Sequence, residues 1–302
     1  MIANIILGEG GIVYGTAMSR DCKKAEITRI DNLSDLNILR GSKYLQAKVG
    51  NTYNDVKYDL DKGMNVLFTG TPCQINGLKL FLNKYYDNLF CMDVICHGVP
   101  SPKLWKAHIE YIEKSKKCMV RSVNFRCKDV NWRNFGLKTT LSDRRYLYNH
   151  KRDDVYMQFF LNNYCLRPSC YSCVAKKKNL SDLTVGDFWG ADLYAPEMND
   201  GLGTSIVFVR TNKGELLFDK IIKQIKCKDI PYEIAIKDNK AEYESVDKPS
   251  QRDTFFKDFK TLSYKKLYIK YLYNTPKRRV KKILIDTGIW NAIGGAKKEK
   301  SK

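Results

Sequence analysis

Apolar and polar positions along this chain fall into short runs punctuated by glycine and proline. Residues 66–68 form an apolar run rich in strand formers, and Gly70 breaks it. Ile75, Leu78, Phe81 and Leu82 then recur at helical spacing. Thr71 suits an N-cap, Pro72 the first helical position, and Gln74 stands three residues after the cap. A strand, a tight turn and a helix are predicted, with Cys73 in the first helical turn. A second junction has the same form. Residues 89–95, LFCMDVI, read as a buried strand that ends in Cys96, and Gly98, Pro100 and Pro102 enforce a loop before the helical segment PKLWKAHIEYIEK.

The rest of the pattern fills in around these junctions. Residues 2–18 read as apolar strands around a Gly turn, GEGG, and 25–30 as another strand. Residues 33–39 are weakly helical, 40–50 a polar loop, and 51–62 a helix. Residues 121–126 and 136–141 alternate, and 154–163 read as a helix. Residues 183–185 and 204–210 read as strands, the latter as a buried one, and 214–225 as a helix. Strands alternating with helices predict an α/β fold, a mixed central sheet flanked by helices, followed by a basic helical C-terminal tail. In such a sheet ligands gather at the carboxyl ends of strands, which is where Cys73 and Cys96 fall.

Composition narrows the class. A chain of 302 residues with 43% hydrophobic content can bury a sizeable core, and no run has the length of a membrane span. No signal peptide precedes a cleavage site, so the expected location is cytoplasmic, where ten cysteines point to metal, catalytic or buried thiols rather than disulfides. The net charge of +20 is uneven: residues 257–302 hold fourteen Lys or Arg against three acids, a net +11. That tail suits an anionic membrane surface, making the protein peripheral to the membrane, while no motif for specific nucleic acid accompanies it. A solvated basic helix is the plainer reading of the same charges.

The cysteines carry the strongest chemical signal. Cys165, Cys170 and Cys173 are spaced C-x(4)-C-x(2)-C, and a two-residue gap lets one turn aim two sulfurs at a common centre. Such pairs serve zinc, iron–sulfur clusters and redox disulfides. Cys73, at a helix start that favours a thiolate, and Cys96 are further donors. Cys22, Cys91, Cys118 and Cys227 read as ordinary buried thiols. His97, His108 and His150 lack metal-motif spacing. Asp187 and Trp189, just after a strand, are site candidates as readily as a turn acid and a core ring.

The stretches GSKYLQA, VLFTGTPCQINGLKLFL, DVICHGVPSPKLW, LRPSCYSC and DLTVGDFWG occur in an order that resembles the coenzyme F420 hydrogenase/dehydrogenase beta-subunit family, from about residue 11 to about residue 218. The resemblance implies an oxidoreductase or electron-transfer subunit that is a flavoprotein with an iron–sulfur cluster, its chemistry supplied by FAD and the cluster. It also implies that Cys73, Cys96, Cys170 and Cys173 ligate a 4Fe–4S cluster, with Cys165 in reserve for Cys96. For the flavin it directs attention to Arg40, Gly41, Ser42 and Lys43, to the turn at Gly70 and Thr71, and to Asp187 and Trp189. The implied partner is a ferredoxin or ferredoxin-like subunit. Some relatives resemble accessory proteins of surface polysaccharide synthesis. Many family members open with a ferredoxin-like domain and a Ser/Gly-rich segment. Neither pattern occurs here, so the expectation is a shortened redox domain over 1–256 and a basic tail over 257–302. A zinc-holding structural module and a redox-inactive remnant are the competing readings.

Overall fold

In the computed structural model, residues 1–129 and 131–273 are described. The chain enters through helix α1 (Ile2–Gly8), then strands β1 (Ile12–Met18) and β2 (Ala25–Ile30), the short helix α2 (Leu36–Leu39) and strand β3 (Ala47–Lys48). Helix α3 (Thr52–Asp61), β4 (Val66–Gly70), α4 (Pro72–Leu82), β5 (Leu89–Val94) and α5 (Pro102–Lys116) follow. A meander, β6 (Val120–Cys127), β7 (Gly136–Leu141) and β8 (Tyr146–His150), leads to α6 (Val155–Leu161). Next come β9 (Leu183–Asp187), α7 (Ala191–Tyr194), β10 (Ser205–Val209), α8 (Asn212–Ile222) and α9 (Tyr232–Ala235), and then α10 (Arg252–Thr261) and α11 (Tyr264–Tyr268).

Two sheets result. Seven strands lie in the order β10-β9-β5-β4-β1-β2-β3, and β6-β7-β8 form a separate antiparallel sheet. The centre of the larger sheet is parallel: β1 with β4, β4 with β5, β5 with β9. Antiparallel β2 and β10 flank it. The mixed α/β sheet expected from the sequence is what forms. The parallel register decides the site. Gly70 pairs with Asp93 and Val94 with Val185, so β4, β5 and β9 run in parallel and deliver their following residues to the same edge of the sheet.

Helices cover both faces. On one face α3, α4 and α5 enclose Phe68, Ile75, Leu78 and Trp105, all buried; on the other α1 and α8 bring Ile6 and Leu217 against Leu67 and Leu183. The turn before α4 is a full capping box between Thr71 and Gln74, as its spacing predicts. Those bonds satisfy free N–H groups of the first turn and fix where Cys73 sits.

Several expectations change. The opening residues are a helix, not a strand: Ile2 and Ile6, four apart, lie with Leu7 on the buried face of α1, where a strand would repeat every two. The strand expected to be buried at 204–210 is β10, an edge strand whose Ser205 and Val209 are exposed. Nothing in the hydrophobic pattern announces β8, none of whose five residues is fully buried. Cys118 is half-buried and Cys227 exposed, whereas Cys22 and Cys91 are buried as expected. The boundary placed between 256 and 257 falls inside α10. From there to residue 273 the chain is part of the same core, with Phe255, Leu267, Tyr271 and Leu272 buried against it. The basic residues from Lys277 onward lie outside the described residues.

Candidate functional site

The four cysteines reach one place by different local routes. Cys73 sits in the first turn of α4, exposed, with its sulfur 3.2 Å from Thr71 Oγ1. Cys96 follows β5, whose pairing with β9 continues one residue further as Ile95 N–H donates to Val185 O. The Cys96 loop is then stitched to the CxxC segment. Val99 N–H donates to Cys170 Sγ at 3.5 Å, Arg167 N–H to Val99 O at 2.9 Å, and Ser101 N–H to Cys165 O at 2.8 Å. Gly98 makes the approach possible. Its φ of +146° is a conformation side chains rarely adopt, and a Cβ there would meet Leu166 Cδ1 at 2.9 Å and Cys170 Cβ at 3.4 Å. Cys173 N–H donates to Ser245 Oγ.

Cys73, Cys96, Cys170 and Cys173 line one narrow cavity of about 30 Å³. Burial pushes the Cys96 thiol up to about 12, the nearby Cys73 and Cys170 add to the rise, and Lys176 opposes it. Burial also raises Cys170, with Cys73 and Cys173 contributing. The sulfurs therefore feel one another. Among the described residues no three His, Cys, Asp or Glu side chains stand close enough to hold a single metal ion as they are placed. Cys165 is not at this cavity: it is fully buried in the core, where burial raises its thiol strongly.

A second cavity, of about 1110 Å³, shares with the first the wall from Val94 to Val99. Gly41, Ser42 and Lys43 line one side, Gly70 and Thr71 the turn before α4, and Asp187 and Trp189 the end of β9. Seven of the eight residues singled out for a flavin thus meet here. Arg40 does not line the cavity. It is exposed, and its guanidinium donates to Asn37 Oδ1 at 3.3 Å. Its carbonyl does contribute, accepting from Lys43 Nζ at 2.7 Å alongside the Ile38 carbonyl at 3.2 Å. Burial pushes the Lys43 ammonium down to about 8.

The family model for the C terminus of the coenzyme F420 hydrogenase/dehydrogenase beta subunit matches residues 63–233, more than half of the chain. The chain belongs to this family. In this family member the matched stretch takes in all four cavity cysteines, Gly70, Thr71, Asp187 and Trp189, while the loop at 40–43 lies before it. Among solved structures it is similar to a chain of the xenon-derivatized F420-reducing NiFe hydrogenase complex from Methanosarcina barkeri. That likeness has 16% identity and a TM-score of 0.49, covering 74% of this chain and 71% of that chain. No curated protein matches.

This family member also carries site residues that sequence reasoning missed. Arg126, Lys128 and Lys151, from or beside the three-stranded sheet, line the large cavity. Arg126 is tied to Asp187 at 3.0 Å, its guanidinium lies 4.3 Å from the Phe135 ring and 5.3 Å from that of Trp189, and its buried Nε has no hydrogen-bond partner among the described residues. Trp132 stacks on Trp189 at 5.0 Å. Arg126 stands in the alternating stretch RSVNFR, which signals a strand and nothing about where its cation will point. His97 lines both cavities and meets Asn163 Oδ1 at 2.7 Å through Nε2, and burial lowers its basicity.

Proposed function

We propose that this family member is an iron–sulfur flavoprotein subunit of an oxidoreductase, with a 4Fe–4S cluster at the four cysteines and FAD in the large cavity. The observation that carries the reading is the shared wall: a thiol-lined cavity and a large cation-lined one are both lined by residues 94–99 and Ala241. The donor set fits. Four thiolates are the normal complement of such a cluster, and each would hold a different iron, so they stand further apart than around one ion. The large cavity fits too. It exceeds the usual ~300–1,000 Å³ of a ligand pocket, and Lys43 and Arg126 offer positive charge to an anionic cofactor. FAD and the cluster, when bound, supply two-electron and one-electron chemistry respectively.

The chain's own residues do the rest. The Cys96 loop and the CxxC segment fix three sulfurs through backbone bonds, and the α4 cap fixes the fourth. Gly41, Ser42, Lys43, Gly70, Thr71, Asp187 and Trp189 hold the cofactor, while Arg126 holds Asp187 and backs Trp189. Cys73, exposed at the cavity, leaves the cluster within reach of a ferredoxin-like partner. Four soft thiolates also suit zinc, but zinc gives no account of the adjoining cavity. Anaerobic purification followed by iron, sulfide, zinc and flavin analysis tests the reading. Iron and sulfide near four per chain with stoichiometric FAD is the expected result. Zinc alone, or no cofactor after anaerobic reconstitution, defeats it.

A further inference from the structure

Three chain segments meet at one cation beside the thiol cavity. Lys176 closes the short turn Val174–Lys176 that follows Cys173, and it lines the cavity itself. Its Nζ donates to the Cys96 carbonyl at 2.5 Å and also to the Ala241 carbonyl. One ammonium thereby ties the Cys96 loop, the CxxC segment and residues 240–242. The acid of the same wall is Glu242, whose ion-pair partner is Arg210; Arg210 in turn donates through Nε to Thr184 Oγ1 at 2.6 Å. Lys176 thus donates to neutral carbonyls, while the nearby carboxylate is ion-paired to Arg210, so among the described residues no carboxylate is bonded to this ammonium at the cavity wall.

We propose that Lys176 is a positioning residue that sets the reduction potential of the group held by the four thiolates, its ammonium favouring the reduced state. The inference rests on the cluster reading above. Net charge, hydrogen bonding and burial are what tune such potentials, and a charge acts strongly across a short, poorly hydrated distance. Reduction adds one electron to an already anionic thiolate-bound group, and a fixed neighbouring cation lowers the free energy of that extra negative charge. No bond forms or breaks at Lys176 and no proton moves there. In the titration the electron comes from dithionite.

The test uses the full chain, purified anaerobically, as wild type, Lys176→Gln and Lys176→Arg. Gln keeps an N–H₂ donor for the carbonyl ties and loses the charge; Arg keeps both. Iron and sulfide content is measured first, then the midpoint potential. We expect Lys176→Gln to retain iron and to bind the electron about tenfold more weakly, a shift of ~59 mV to more negative potential for a one-electron couple. Lys176→Arg should stay near wild type. Lys176→Gln with iron bound and an unchanged potential overturns the proposal. If Lys176→Gln loses its iron, Glu242→Gln decides, because removing the negative charge from the same wall must move the potential upward, and no upward movement overturns the proposal. Wild type without iron and sulfide defeats the cluster reading itself, a result distinct from either.

Discussion

The two cavities share a wall yet are built in opposite ways. The thiol cavity is assembled from motifs that are short in sequence: a capped helix start, a strand end and a CxxC turn. The large cavity takes its glycines and turns from the same sheet edge, but Arg126, the cation tied to Asp187, comes from a separate antiparallel sheet inserted between α5 and β9. Local spacing presets where each thiol sits, Cys73 and Cys96 at strand-end junctions and Cys170 with Cys173 in one turn, and the parallel register then brings these short pieces together. A cofactor pocket needs charge gathered from distant segments, and only the packing of one sheet beside another gathers it. Damage should therefore separate: changes at the first cavity should strip the metal and spare the flavin, and changes at the second should do the reverse.

The sharpest test of that separation is Cys170→Ala. It should abolish cluster binding, lowering iron by tenfold or more, because removing one ligand exceeds the 10–100-fold cost of losing a supporting contact. Flavin content, read by absorbance after protein release, should remain within twofold of wild type. Equal loss of both would show a single coupled site.

A second test asks whether the chain beyond residue 256 supports both cavities. Leu267 is fully buried, so Leu267→Ala should cost about 2–5 kcal/mol. Thermal unfolding should show one transition at lower temperature. An unchanged midpoint would mean that α11 is dispensable to the core that the cavities stand on.

From the other side of the wall, Arg126→Met should weaken FAD binding by about 10–100-fold, as expected when a charge-assisted contact worth ~1.5–3 kcal/mol is lost. Iron should stay unchanged. Isothermal titration with FAD and iron analysis on the same sample check both halves. The variant also frees Asp187 from its cation, so Arg126→Lys, which keeps the charge but not the fork, should recover only part of the affinity.

The smallest effect is predicted at Lys43. Burial lowers its ammonium to about 8, while the unfolded chain holds that proton up to ~10.4. The unfolded state therefore binds more protons between those values, and this group adds stability as pH rises through that window. Affinity for an anionic cofactor runs the other way. It should fall several-fold as pH rises through about 8, since the deprotonated amine no longer attracts the ligand. Lys43→Met should flatten that part of the pH profile. A profile identical to wild type would remove Lys43 from the cofactor's surroundings.

Much of the fold was legible because its signals are short-range. The apolar run 66–68, the box of Thr71 and Gln74, and the Pro102 helix start each depend on residues within a turn of one another, and each forms as read. The C-x(2)-C spacing likewise brings Cys170 and Cys173 to one cavity. Where the reading failed, the deciding contact was distant. Cys165 is as close to Cys170 in sequence as a ligand needs to be, but the Pro100–Leu166 bridge turns its segment inward to the core. Arg40 is a neighbour of Lys43, yet only Lys43 lines the cavity, because that loop folds its ammonium back on two carbonyls. The sequence alone determined the strand-end junctions, the thiol spacing and the family, since these are written in adjacent residues. The tertiary structure alone decided which thiols meet, which cations join the large cavity and that the two cavities share a wall. Those outcomes depend on parallel register and on one sheet docking beside another, and neither is encoded within reach of a single turn.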